Sequence, residues 1–219
     1  MTNLPTTLVC FAVKEEAIYF KRWAVAHPEI EILLTGMGRQ NAEKTVEAAL
    51  AHRRPRRLIT AGFAGGLSPD LARGTVVYQA DEATGLFEGL RAAGARPARI
   101  HCVSSVIQTA EQKQALRTST GADAVDMESR FICDLCRKHN VPSATVRVIL
   151  DTAKEDLVLD FNQIMTPDLR INPTKLAVHL IKSPAKIPAL VRLQKQSSAC
   201  ARRLAEVLSQ VATSSTLSV

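Results

Sequence analysis

Three carboxylates stand where a buried strand gives way to a helix or loop: Glu16 after LVCFAVKE, Glu128 in AVDMES, and Asp151 at the end of ATVRVILD. Glycine-rich turns stand at two further strand ends, in TGMGRQNA from Thr35 and in AGFAGGL from Ala61. Carboxylates move protons between groups held within hydrogen-bond reach. Glycine lets the backbone approach a ligand more closely than a side chain would allow. A single acid in such a place more simply caps a helix or sits in solvent, since negative charge suits a helix start. Three of them beside two glycine turns point to one crevice. The amides around Gly36, Gly38 and Arg39 could hold an anion at a helix N-terminus, and a structural tight turn fits the same residues. The turn is not the dinucleotide fingerprint: Asn41 replaces the third glycine, and the unit follows the second strand rather than the first.

The elements that must position these groups alternate along the chain. TLVCFAV (7–13) reads as a buried strand, followed by a helix over about 14–26; EIEILLTG is a second strand and RQNAEKTVEAALAH an amphipathic helix. RRLITAG and GTVVYQA are further strands, as is ARIHCVSS, which leads into the helix TAEQKQALRTS. GADAVDM is a strand, ESRFICDLCRKHN a helix and ATVRVILD a last strand. This alternation predicts an α/β fold: a single domain over residues 1–219 with a mixed, mostly parallel central sheet flanked by helices. Ligands of such sheets bind at the carboxyl edge of the strands, where all three acids fall. A final helix over about 186–211 carries Arg192, Lys195, Arg202 and Arg203 on one face. It is expected to pack on the sheet or to meet a membrane surface or partner.

Composition narrows the classes. Apolar residues make up 46% and charged residues 22%, as in a folded globular chain, and no apolar run nears the length of about 20 residues that a membrane span needs. The start MTNLPTTLVCFAVKEE lacks a signal-peptide pattern, so a cytoplasmic protein is expected. The formal charge is +7, with basic groups spread out, aromatics scarce and no nucleic-acid-binding signature; no nucleic acid partner is expected. Cys133 and Cys136 form a C-x-x-C inside a helix with no second pair, which reads as small buried side chains.

LVCFAVKEEA, TGMGRQNAEKT, LITAGFAGGLSPDLARGTVV, AVDMES and VRVILDTAKEDL follow one another as in the nucleoside phosphorylase/nucleosidase superfamily, which the chain resembles over about residues 7–157. It is most similar to the methylthioadenosine/S-adenosylhomocysteine nucleosidases. SSVIQTAEQKQAL and the tail LIKSPAKIPALVRLQKQSS resemble the hopanoid-associated phosphorylases, which act on adenosylhopane. The resemblance implies cleavage of a purine nucleoside's N-glycosidic bond, releasing adenine from a 5′-substituted adenosine. It gives Asp151 the protonation of purine N7 and Glu16 the activation of water. Met127 would pack under the ribose and Glu128 would bind its hydroxyls, leaving Asp126 to cap the next helix. Gly38, Arg39, Gly62 and Phe63 would border the phosphate or water site, and Ile107 stands near the block expected to stack on the base. Serine is usual where Phe63 and Leu150 stand, and the first strand lacks the Gly-Asp-Pro and arginine pattern of phosphate-using members. The changes at Phe63 and in the first strand favour hydrolysis; phosphorolysis, with phosphate as co-substrate, and a non-catalytic nucleoside-binding protein are the alternatives. No metal or other cofactor is implied, and a homo-oligomer, dimer or larger, is.

Overall fold

The computed structural model describes residues 7–52, 54–160, 163, 166 and 184–213; Arg53 of the basic HRRPRR group, Pro173 and residues 180–183 at the start of the resembling tail lie outside it. The chain runs β1 (Thr7–Phe11), α1 (Lys14–Ala24), β2 (Ile30–Leu34), α2 (Arg39–His52), β3 (Arg57–Gly66), β4 (Val76–Ala80), α3 (Phe87–Ala92), β5 (Arg96–Pro97), β6 (Ile100–Cys102), α4 (Ala110–Thr120), β7 (Ala124–Asp126), α5 (Ser129–Lys138), β8 (Ser143–Asp151) and α6 (Ile187–Val211). One sheet takes the order β2-β1-β3-β8-β4-β5, and β7 joins the far end of β3 with β6 beside it. β1 pairs in parallel with β2 and β3, and β3 with β8; β4 against β8 and β7 against β3 are antiparallel. The sheet is mixed and mostly parallel, as the alternating pattern predicts.

Central strands are apolar on both faces because helices cover both. Leu8, Cys10 and Leu58 meet Val46 of α2 and Ile132 and Cys136 of α5. Their strand neighbours Val9, Phe11 and Ile59 turn the other way, onto Phe20 of α1 and Leu204 and Leu208 of α6. This alternation is the period of two that a strand imposes. Burying each Leu, Ile or Phe contributes about 1.5–3 kcal/mol. All five cysteines are free, with Cys136 buried and Cys133 half-buried in α5.

α6 divides into two lengths. Its second half carries Leu204, Val207, Leu208 and Val211 fully buried, while Ile187 and Val191 in the first turns are each 48% exposed. Arg57, at the start of β3, anchors the buried end: its guanidinium donates to the carbonyls of Ala212 and Thr84 at 3.0 Å each.

Two features depart from the sequence reading. AGFAGGL is no strand-end turn: β3 continues through Gly66, pairing with β8 on one side and, at Gly65 and Gly66, with β7 on the other. Glycine there admits neighbouring side chains. α3 and β5 were not expected, and at six and two residues they are too short to show a period.

Candidate active site

β1 delivers the chain to the start of α1, where Glu16 occupies the first turn. Its carboxylate folds back and accepts hydrogen bonds from the amides of Ala12 (3.0 Å) and Val13 (3.2 Å), and from Phe63 of β3 at 2.8 Å. A methyl group on Gly62 would lie 2.6 Å from Glu16 Oε1, so β3 must lack a side chain at this point. Burial pushes the Glu16 carboxyl above its usual range, while the Phe63 amide, the Arg147 charge and the remaining amides pull it back.

Glu128 arrives from the opposite side, on the bend between β7 and α5. Its Oε1 accepts the Gly38 amide at 2.6 Å. Gly38 has φ +78°, a left-handed conformation that favours glycine. Burial, with Asp126 and Glu16 acting in the same direction, pushes Glu128 up to about 7 against the Gly38 amide and Arg147. Met127 lies half-buried beside it. The N-cap position of α5 falls to Glu128 rather than to Asp126, which lies two residues earlier and accepts from the Ser129 amide at 3.1 Å and its hydroxyl at 2.8 Å.

Between the acids stands Arg147, 3% exposed in the middle of β8. It donates to Asp126 Oδ2 from Nε (2.9 Å) and to Thr60 at its carbonyl (2.7 Å) and hydroxyl (2.9 Å), and a terminal nitrogen lies 2.7 Å from the same Asp126 oxygen. The sequence reading passed over Arg147, although a lone charge within the apolar run ATVRVILD was a signal. Glu16, Thr35, Gly62, Phe63, Glu128 and Arg147 line a cavity of about 10 Å³. That is roughly the room needed by one water. Two carboxylates with raised affinity for a proton thus share a water-sized space.

Asp151 is close by in the sheet but outside that cavity. It ends β8 opposite Gly65, where a methyl group would come 3.3 Å from Asp151 Oδ2 and 3.1 Å from Val125. Burial raises its carboxyl, opposed first by Lys113, whose Nζ lies 2.5 Å from Oδ2. The expected single crevice is therefore two adjoining positions: Glu16 with Glu128, and Asp151 with Lys113.

Arg39 requires a correction. Its side chain is 61% exposed, and its guanidinium donates to Glu43 at 2.9 Å and lies over the Phe131 ring at 4.7 Å, outside the lining of the cavity. Its i,i+4 partner on α2 and the aromatic face of α5 hold it there. The Gly38 amide, the other anion donor expected, is taken by Glu128. Ile107 is half-buried and packs with Leu67, Ala122 and Val125. Its neighbour Gln108 is more telling, since its side-chain nitrogen is the buried polar atom without a partner among the described residues. The Gln108 carbonyl accepts the Leu157 amide at 2.8 Å, which ties it to the loop that follows Asp151. Among the described residues, no three His, Cys, Asp or Glu side chains are grouped to hold a metal.

Comparison with known proteins agrees with this architecture. The Phosphorylase superfamily matches residues 10–90 and 86–182. A 5′-methylthioadenosine/S-adenosylhomocysteine nucleosidase of Bacillus cereus (strain G9842) is 24% identical over 183 residues, 67% of this chain and 78% of the relative. The fold is shared with the solved nucleosidase of the same name from Helicobacter pylori, at TM-score 0.67 and 15% identity over 94% of this chain and 98% of that one. Futalosine hydrolase of Helicobacter pylori superposes at TM-score 0.65 with 15% identity, over 93% and 97% of the two chains. With its sheet order, its paired acids and the match across most of its length, the chain belongs to the phosphorylase superfamily.

Proposed function

We propose that this enzyme hydrolyses the N-glycosidic bond of a purine nucleoside, releasing adenine from a 5′-substituted adenosine. The observation that carries the reading is the water-sized cavity shared by Glu16 and Glu128, with Asp151 at the neighbouring strand end. Glu16 activates the water. Glu128 binds the ribose hydroxyls above Met127, an interaction that strengthens as positive charge develops on the sugar. Asp151 gives its proton to purine N7 as the base leaves. An unperturbed aspartate has pKa about 3.9 and is ionised at neutral pH. The upward push of burial on Asp151 therefore favours this role. Gln108, whose carbonyl holds the same loop and whose side-chain nitrogen is buried without a partner among the described residues, is read as the donor to an acceptor on the base.

Hydrolysis is favoured over phosphorolysis because the two donors expected for phosphate, and the cation beside the cavity, are engaged elsewhere. Arg39 is held by Glu43, the Gly38 amide is bound to Glu128, and Arg147 is matched by Asp126. The 5′ substituent is read as apolar and lipid-like, as in adenosylhopane. Support comes from α6, where Lys186 to Ala205 holds five bases and no acid, and from exposed Ile187 and Val191. A helix of this kind suits an anionic membrane surface. No helix among the described residues is long and apolar enough to cross a membrane. A homo-oligomer is proposed as the working state.

The test is adenine release from adenosine, methylthioadenosine and a long-chain 5′-alkyl adenosine, with and without phosphate. The expected result is phosphate-independent release, fastest with the alkyl substrate. Strict phosphate dependence would establish phosphorolysis. Binding without release would establish a nucleoside-binding protein.

A further inference from the structure

α4 buries one residue completely, and that residue is a lysine: Lys113 is 1% exposed. Lysine is almost never fully buried without partners. Lys113 has one for each ammonium hydrogen: Asp151 Oδ2 at 2.5 Å, the Glu155 carbonyl at 2.7 Å and the Thr152 carbonyl at 2.9 Å. The loop after β8 wraps around this cation. Its closure is completed by Glu155, whose carboxylate accepts from the Thr152 amide (2.8 Å) and hydroxyl (3.0 Å). Arg73 then holds Glu155 from outside at 2.6 Å and donates to the Leu150 carbonyl at 2.7 Å. A helix that needed only to cover the sheet would place a leucine at this position.

We propose that Lys113 is a positioning residue for the leaving-group acid, fixing the Asp151 carboxyl at the end of β8 and setting the pH at which it gives up its proton. The proposal rests on the reading of Asp151 given above. As the bond from ribose to purine breaks, its electron pair goes to the base and the Asp151 proton moves to N7. A carboxylate then appears facing the ammonium, which stabilises it. Lys113 therefore makes Asp151 a stronger acid, and the same attraction narrows the pH range in which the acid stays protonated. The other charged or titratable groups facing Asp151 are Glu155 from its own loop, Arg73 from the β3–β4 connection and Cys200 from α6. Arg73 and Glu155 pair with each other, and Cys200 donates to the Ile149 carbonyl, which leaves Lys113 as the cation in contact with the carboxyl.

The experiment is the pH profile of adenine release for Lys113→Met and Lys113→Arg beside wild type and Asp151→Asn. In Lys113→Met, kcat is expected to fall about 10–100-fold with KM changed less than about threefold, because proton transfer, not binding, is impaired. Its basic limb moves up by about one to three pH units, the usual influence of an adjacent charge. Lys113→Arg keeps the charge and holds the limb within about half a unit of wild type. If Lys113→Met does not fold, Lys113→Gln keeps two donors without the charge and carries the same expectation. An unmoved limb in the neutral variant, with kcat lowered equally at every pH, overturns the proposal, as does a limb displaced by more than about one unit in Lys113→Arg. A wild-type protein that releases no adenine, or Asp151→Asn as active as wild type, would instead overturn the reading of Asp151 itself.

Discussion

Glu16 and Asp151 are carboxylates at strand ends, the first buried and the second half-buried, yet they are held in opposite ways. Glu16 rests on three backbone amides, and Arg147, the cation that acts on it, is already paired to Asp126. Asp151 rests on a lysine that pairs with no other carboxylate among the described residues. Amides fix a carboxylate in place with partial charges, so it remains able to take a proton. A full positive charge beside the acid biases it toward giving one away. The contrast fits the division proposed above, a base on the water side of the reaction and an acid on the purine side.

The strongest way to break this comparison is to neutralise each acid in turn. Glu16→Gln and Asp151→Asn are each expected to lower kcat for adenine release by about 10²–10⁴-fold, the usual contribution of a positioned acid or base. The two are told apart by the leaving group: only Asp151→Asn should regain activity on a nucleoside whose base departs readily without a proton, and rescue of both variants or of neither would contradict the division.

Removing the shared cation comes next. Arg147→Met leaves Asp126 buried beside Glu16 and Glu128, and a broken buried pair costs about 3–5 kcal/mol, measured by urea unfolding. A smaller loss is expected from Gly62→Ala, whose methyl group would press on Glu16 Oε1. Overpacking of this kind costs about 1–3 kcal/mol and should lower activity while leaving the Asp151 limb of the pH profile in place.

Glu128 gives the comparison a thermodynamic test. Its folded carboxyl titrates at about 7 against an ordinary 4.5, so between these values the folded chain holds a proton that the unfolded chain has lost. Its contribution to stability is full below 4.5 and disappears as pH rises to about 7. Urea unfolding at both ends of that window should show the decline, and Glu128→Gln should flatten it. The smallest effect concerns salt. The lysine of the Lys113–Asp151 contact is buried and the carboxylate largely so, and raising ionic strength from about 0.1 to about 1 M should therefore leave the basic limb of adenine release nearly unchanged.

The acids were legible in the sequence because each follows an apolar strand, and the alternation of strands and helices gave the sheet. Gly38 was legible for the same reason. The cations were harder to see. Lys113 lies in a polar helix, AEQKQALRTST, where nothing in the spacing marks one lysine as inward-facing. Arg147 was visible as an odd charge in a buried strand, but its partner Asp126 is 21 residues away. Arg39 misled for a related reason: a basic residue after a glycine turn suggests an anion, and the sequence does not show that Glu43 and Phe131 hold it outward. Pairings between distant side chains are set by tertiary packing, which local pattern does not encode.

The hydrogen bond from Arg57 to the carbonyl of Ala212 spans 155 residues, and the neighbouring contact from Thr7 to that carbonyl spans 205. They bear on how the molecule is made. β1 and β3 cannot complete their contacts until α6 has been synthesised, so they must wait for the residues between them and Ala212 to leave the ribosome. Such distant closure slows folding and prolongs the exposure of apolar strands. A nascent chain halted before Leu204 would present the bare α6-facing side of the sheet, and with it a surface for chaperones to bind.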